Sequence, residues 1–414
     1  MKKYMEIAES LFNNKEYDKA LEKLNMALNN KEYDALSVLA MIYIKGLGVE
    51  IDIDKALEYL FLGDKYDDAK CISILGDFYY NGKYLNKDLD KAKSYYNRAS
   101  LMLEPHAIGM LGLFLYNEEK YSEAVDYFKS ASLYSDTNSM YYLAKCAYSG
   151  IGMDKDYELS FNLFNKLYEI SKDNNEIKKY LADMYFNGYG ITQDFFKAKE
   201  LYESLNDDES IFNLALIYKN HLKEYEKAYE LFKRVKNEKS QFEQALMLYN
   251  GLGIKENKND AYFKFYACAM SKYIYSYPFV GDCYYYGYGV KKDYTEAIKW
   301  YNLALSENLK NQNLNIGLSY LKLKKYDEAI NYLEKEEDSL NKFKALGEIY
   351  LKLKKFELSY NAYLNASAYN DAYSLLQVSK MLKKGKGVEK NKELSSVYYL
   401  KYLEIIALND NENT

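Results

Sequence analysis

Apolar residues recur along this chain at helical spacing. In residues 176–205, Tyr180, Leu181, Met184 and Tyr185 fall at i, i+1, i+4 and i+5, which places them on one helical stripe. Phe195, Ala198, Leu201, Tyr202 and Leu205 form a second stripe further on. Between them, Asn187-Gly188 predicts a helix end, because Gly accepts the left-handed conformation that closes a helix. Asp194 predicts the N-cap of the next helix. The segment therefore reads as two helices, with the small Ala198 letting them approach closely. No alternating β-branched run of strand type survives this reading.

The same pattern repeats. Gly-x-Gly occurs at Gly46/Gly48, Gly150/Gly152, Gly188/Gly190, Gly251/Gly253, Gly287/Gly289 and Gly385/Gly387, and Gly82 marks a seventh loop that has lost its second Gly. A small residue follows each loop, and recurs without glycines elsewhere. Taken as a ruler, it falls at 20, 56, 92, 124, 160, 198, 228, 261, 297, 329, 359 and 395, with steps of 30 to 38 residues. Periods of this size signal a repeat array. A single helix pair cannot bury its apolar face, whereas stacked pairs can. The expected fold is all-α: a right-handed α-α superhelix, or α-solenoid, of about twelve helix-turn-helix repeats. Residues 1–408 are expected to form one solenoid, with capping repeats at 1–33 and 370–408. The polar tail 409–414 has no apolar anchor and is expected to be flexible.

Composition sharpens this picture. The 414 residues contain 2 Pro where average usage would supply roughly 20, so few helices are forcibly broken. A net charge of -5 argues against a nucleic-acid partner, and no 18-residue apolar window argues for a membrane span. Glu6 and Glu9 interrupt the stretch after Lys2-Lys3, so no signal peptide is expected. Cys71, Cys146, Cys268 and Cys283 lack CxxC spacing and read as buried thiols in a cytoplasmic protein. Cys268 and Cys283 are expected to be near neighbours, because the second helix of each repeat should pack on the first helix of the next.

The pattern small-x-x-Leu-Gly/Ala-x-x-Tyr-x-x-Gly-x-Gly-Val, followed by Asp and Lys-Ala, resembles the Sel-one-like repeat, a branch of the tetratricopeptide superfamily. The best copies are 36–60, 181–202 and 280–301, and plain repeats such as 316–333 resemble ordinary tetratricopeptide repeats. The resemblance implies a superhelix used as a protein–protein adaptor, with no catalytic residues. Secreted cysteine-rich members of the family carry paired Cys in each repeat, which this chain lacks.

In a stacked helix-pair solenoid the first helices line the concave surface. The two places after the motif Tyr are expected to point away from the core there. The first place gives Tyr80, Tyr116, Tyr148, Phe186, Tyr249 and Tyr285, and the second gives Asn81, Asn117, Asn187, Asn220, Asn250 and Tyr286. Two readings stand side by side. Asn amides can bond an extended peptide backbone beside Tyr contact area. Equally, Asn before Gly caps a helix, and the Tyr rings pack on the next repeat. Residues 310–405 hold 17 Lys against 12 acidic residues, which suits either an acidic ligand or solvated helix ends.

Nothing points to chemistry. There is no P-loop, HExxH or GxSxG, and His106 and His221 belong to non-adjacent repeats. No catalytic residue, cofactor, metal or small-molecule substrate is expected. The expected function is a non-catalytic scaffold or adaptor that binds a partner peptide or domain on its concave surface. The alternative is a structural or regulatory subunit, or an inhibitor of an effector enzyme, within a larger complex.

Overall fold

The computed structural model describes residues 3–412, without the side chains of Lys3, Glu9, Asn13 and residues 409–412. Among the described residues there are 24 α-helices and no strand, and the chain divides into two compact units, Met1–Leu205 and Asn206–Thr414. The break falls at a repeat boundary, so each unit holds six helix pairs.

In the first unit the helices are α1 (Lys3–Asn13), α2 (Tyr17–Asn29), α3 (Ala35–Lys45), α4 (Ile53–Lys65), α5 (Ala69–Asn81), α6 (Leu89–Leu101), α7 (Pro105–Asn117), α8 (Tyr121–Ser132), α9 (Thr137–Ser149), α10 (Tyr157–Ile170), α11 (Asn175–Asn187) and α12 (Phe195–Glu203). In the second they are α13 (Asp208–Ile217), α14 (Tyr225–Arg234), α15 (Glu238–Asn250), α16 (Lys258–Met270), α17 (Tyr277–Tyr286), α18 (Tyr294–Ser306), α19 (Gln312–Lys322), α20 (Tyr326–Glu334), α21 (Leu340–Lys352), α22 (Phe356–Ser367), α23 (Ala372–Lys384) and α24 (Lys392–Glu412). A π-helical turn, Tyr218–Leu222, extends α13. Within each unit, every second helix packs on its own partner, and all but the last of the unit pack also on the first helix of the following repeat.

The ruler residues lie buried within each pair. Ala20, Ala56, Ala92, Ala124, Ala198, Ala228, Ala261, Ala297 and Ala329 have no exposed surface. Where Ser stands instead, its hydroxyl would be buried at a cost without a partner. Ser160 donates to the Ala144 carbonyl at 2.9 Å, Ser359 to Gly347 at 2.8 Å and Ser395 to Ser379 at 2.9 Å, so the facing helix supplies the acceptor.

Four residues after the ruler, one turn along the same face, comes a large side chain. Leu24, Leu60, Tyr96, Phe128, Phe164, Tyr202, Phe232, Phe265, Tyr301, Leu333 and Tyr363 are all buried to within 1%. Each contributes roughly 2–3 kcal/mol by burial. Three of the four Tyr members find an acceptor for their hydroxyls on the first helix, Tyr363 being the exception. Tyr96 donates to Asp77 at 2.7 Å, Tyr301 to Asp282 at 2.7 Å and Tyr202 to Asp183, always 19 residues back on the first helix. Burial holds the Asp282 carboxyl above its usual range, against the bond from Tyr301.

The glycine loops do two jobs. Gly188 closes α11 at φ +72°, its N–H bonding the Met184 carbonyl. Gly190, at φ +70°, lies against the start of α10 in the preceding repeat, where an added Cβ would sit 2.1 Å from the Tyr157 carbonyl oxygen. The second glycine is therefore a spacer between repeats. Asp194 then caps α12 by accepting from the Phe196 and Lys197 amides, each at 3.0 Å. Plain repeats turn without glycine, at left-handed Glu119, Lys324 and Lys354.

The C-terminal repeat departs from the expected cap. Its last helix exposes Leu394, Val397, Tyr399, Leu400, Leu403 and Leu408, where a cap would be polar outside. It also runs on to Glu412, so it takes in the first four residues of the expected tail, and Asn413 and Thr414 lie outside the described residues.

These contacts separate the two glycines of a loop. Gly188→Ala is expected to cost about 1–2 kcal/mol, the left-handed penalty alone. Gly190→Ala adds overpacking of roughly 1–3 kcal/mol. Urea unfolding of both variants checks this, and equal costs would remove the spacer role of Gly190.

Candidate protein-binding surface

The inward faces of the first helices in the first unit are set by helical periodicity. On α5, Lys70, Ser73, Ile74, Asp77 and Asn81 are spaced to share one face, and all five line a cleft of about 450 Å³. Met41, Ile44 and Phe78 complete its apolar floor, with Lys83, Glu104 and His106 at its edge. A second cleft of about 420 Å³, lined by Phe12, Ser37, Val38 and Lys45, shares Met41, Lys70 and Ile74 with the first. Together they form a groove across α1, α3, α5 and the start of α7.

Its polar groups fall into two classes. Asp77 and Glu104 are engaged: Asp77 accepts from Tyr96, and Glu104 caps α7 through the Ala107 amide at 2.6 Å. Lys45, Lys70 and Lys83 are exposed and pair with no carboxylate among the described residues. Ser73 is 2% exposed, and its Oγ has no hydrogen-bond partner among the described residues.

His106 fixes the far wall. Its Nε2 lies 2.9 Å from Asp77 and its Nδ1 3.6 Å from Asp136. Burial pulls the ring's pKa down, but bonding to Asp136 and Asp77 outweighs it, and the pKa is pushed up to about 10. The ring is thus an imidazolium at neutral pH, without a free lone pair for proton abstraction or metal ligation. It links α5, α7 and the N-terminus of α9. His221 lies in the π-helical turn of the second unit.

Beyond α7 the inward faces are bridged by their own side chains. Tyr141 donates to Glu176, and Lys145 lies 3.7 Å from the same carboxylate, joining α9 to α11.

Each ring of the expected aromatic row packs against other rings of its own or the next repeat. Tyr80 packs edge-on against Phe114 at 5.6 Å, Tyr116 against Tyr121 at 5.1 Å and Tyr142 at 5.6 Å, and Tyr148 against Tyr157 at 5.6 Å and Tyr180 at 5.2 Å. Phe186 meets Phe195 at 5.9 Å, Tyr249 meets Phe265 at 6.0 Å, and Tyr285 meets Tyr294 at 5.4 Å. All six are half-buried. One residue past a core position is about 100° round the helix. That is the seam with the second helix and the next repeat, and a large ring fills it. Tyr286 is 52% exposed.

The Asn set divides. Asn187 and Asn250 donate back to the carbonyls of Asp183 and Leu246, each at 2.9 Å, just before a left-handed glycine. Asn117 is exposed at the end of α7, and Asn220 lies in the π-helical turn. Asn81 lines the groove. Sequence reasoning stopped at the last helical turn. Counting back 4, 7, 8 and 11 places from Asn81 would have found Asp77, Ile74, Ser73 and Lys70.

All four cysteines are buried and unbridged, and Cys268 and Cys283 share one core cluster, as the stacking predicted. Burial pushes their thiols up to about 11 and about 12, so both stay protonated.

The His106 link has a pH signature. With its folded pKa raised from 6.5 to about 10, its stabilisation is full below 6.5 and is lost as pH climbs to about 10. His106→Gln is expected to destabilise the first unit by about 1 kcal/mol below that window, the ring being exposed enough for solvent to screen it. The difference should vanish above it. Urea titrations across the range check this, and a pH-independent difference would contradict the charge.

Seven segments of the chain match the Sel1 repeat model: residues 34–62, 69–102, 137–169, 180–205, 239–263, 279–309 and 372–402, together half of the chain. They are the seven repeats that carry the glycine loop. Two plain repeats, 209–238 and 313–335, match tetratricopeptide repeat models. None of the curated proteins matches. Among solved structures, the chain is similar to c5321, a protective antigen of uropathogenic Escherichia coli strains displaying an SLR fold. The identity is 20%, with a TM-score of 0.61, over 95% of this chain and 91% of that one, a likeness of fold. A Sel1 repeat protein from Oxalobacter formigenes is 24% identical with a TM-score of 0.42, over 56% of this chain and 98% of that one. With the glycine loops, the buried ruler and the family model all falling on the same segments, the chain belongs to the Sel1 repeat family.

Proposed function

We propose that the protein is a non-catalytic scaffold that holds a segment of a partner protein in the groove of its first unit. Repeat folds of this kind typically mediate protein–protein interaction. The observation that carries the reading is the open stretch over α1, α3 and α5. Its apolar floor at Met41 and Ile74 lies under a rim of three lysines, Lys45, Lys70 and Lys83, without carboxylate partners among the described residues. That chemistry suits a segment with one or two bulky apolar side chains next to a carboxylate. The floor supplies burial, and the lysines supply orientation and attraction. The cationic His106 supports a structural role for the one histidine on the groove.

Peptide display on the immobilised full chain is the test. Selected peptides should combine bulky apolar residues with Asp, Glu or a free C-terminus. The Met41→Glu, Ile74→Glu double variant should weaken capture by about tenfold or more, about 1.4 kcal/mol. Its urea midpoint should barely move, since Met41 and Ile74 are only partly buried. Tyr148→Ala should instead cost stability. Selected peptides that bind the double variant as well as the parent chain would overturn the reading.

A further inference from the structure

The plain repeats turn their corners in one register. The left-handed residue stands five places before the ruler, at Lys15, Glu119, Lys223, Lys324 and Lys354, with φ between 58° and 63°. The residue after it precedes the second helix, and is Glu16, Lys120, Glu224, Lys325 and Lys355. Two places before the corner stand Asn13, Asn117, His221, Lys322 and Lys352. The turn thus accepts Asn, His or Glu at these places, and the fold does not require Lys. Of these five repeats, the tenth and eleventh alone put Lys at all three. Local stability does not account for it either. Lys325 and Lys355 stand at the positive ends of α20 and α22, where a cation opposes the helix dipole, and neither supplies a side-chain cap.

These six lysines share one edge of the second unit. As first helices of their pairs, α19 and α21 run in the same direction, so their C-terminal turns lie side by side. Tyr326 and Leu353, next to the two corners, pack against one core cluster. The twelfth repeat continues the row. Gly387 lies on the start of α22, where an added Cβ would sit 2.2 Å from the Phe356 carbonyl oxygen, and the Lys386 ammonium lies 4.2 Å from the centre of the Phe356 ring. That contact holds the end of α23, with Lys383 and Lys384, beside the corner at Lys354 and Lys355. All of these corner and helix-end lysines are exposed, and none pairs with a carboxylate among the described residues. The acidic residues in the first turns of α20 and α22 are Asp327, Glu328 and Glu357, so positive charge is in excess. The fourth repeat reverses the sign at the same corner, with Glu118, Glu119 and Glu123 around Lys120.

We propose that this edge holds an extended acidic segment of a partner protein, a run of Asp and Glu laid across the tenth to twelfth repeats. Packed helices lie 8–10 Å apart, so two steps of the array span about 20 Å, which an extended run of about six residues covers. Two or three ammonium groups meet the segment at each step. The row has no Arg fork and no exposed aromatic ring of the kind that suits a nucleic-acid strand. A flat anionic bilayer would also meet Asp327, Glu328 and Glu357 beside the row, whereas a single strand follows the lysines alone. The site lies in the second unit and is independent of the groove over Met41 and Ile74.

The probe is a fluorescein-labelled peptide of eight glutamates, titrated into the full chain and followed by anisotropy. Binding is expected to be saturable, and to weaken by about tenfold as salt rises from about 50 to about 300 mM. The quadruple variant Lys324→Glu, Lys325→Glu, Lys354→Glu, Lys355→Glu should abolish it. Folding should survive, because Glu119, Glu16 and Glu224 already occupy these two places in other repeats. Gln at the same four positions, a milder change, should weaken binding by about tenfold. Met41→Glu, Ile74→Glu should leave it unchanged, which separates the site from the first-unit groove. Absence of saturable binding at low salt, or equal binding by the Gln variant, overturns the proposal. So does tighter binding to phosphatidylserine vesicles or to a thymidine octanucleotide that the Gln variant loses, since the edge would then belong to lipid or nucleic acid.

Discussion

Everything in this fold depends on how closely the two helices of a repeat approach. A fully buried Ala or Ser at the ruler position sets that distance. A larger side chain there would push the pair apart and empty the space around the residue one turn on. That next residue, a Leu, Phe or Tyr, is a large side chain buried to within 1% in eleven of the repeats. Ser is tolerated at three ruler positions because a carbonyl of the facing helix lies within bonding distance. At Tyr96, Tyr202 and Tyr301, one turn later, an Asp carboxylate of the first helix accepts a hydrogen bond from the hydroxyl. At these positions polar chemistry enters the core beside an acceptor of the facing helix.

The loops serve the same constraint between repeats. Gly190 rests on the backbone at the start of α10, so the glycine pair carries stacking information as well as a turn. The seven glycine-loop repeats are the ones the Sel1 model recognises, whereas plain repeats turn on Lys or Glu in left-handed conformation. The scaffold leaves some of its faces open. In the first unit that is the run over α1, α3 and α5, before cross-helix bridges such as Tyr141 to Glu176 close the surface.

The repeat was legible because it is written in small residues with no other use. Ala198 and its eleven counterparts were readable as a ruler, and all twelve are buried. Helix ends at Gly188 and N-caps such as Asp194 were legible for the same reason, since few residues perform those tasks. The binding surface was much less legible. Tyr148 and Phe186 sit one place past a core position, and whether such a ring faces solvent or a seam depends on the neighbouring repeat. Asn187 before a glycine reads alike as a cap or a contact, and its amide turns back on Asp183. Met41, Ile74 and Lys70 carry no motif at all. They stand out only once α3 and α5 lie side by side.

The central claim is that a partner segment lies on the Met41–Ile74 floor. Methyl-labelled methionine spectra test it most directly, since the chain has 12 Met and Met41 lies in the floor itself. On adding a display-selected peptide, the Met41 methyl signal is predicted to move strongly, while those of core residues such as Met184 and Met247 stay in place. A bound peptide that leaves Met41 unmoved and shifts Met381, beside α24, would contradict the claim.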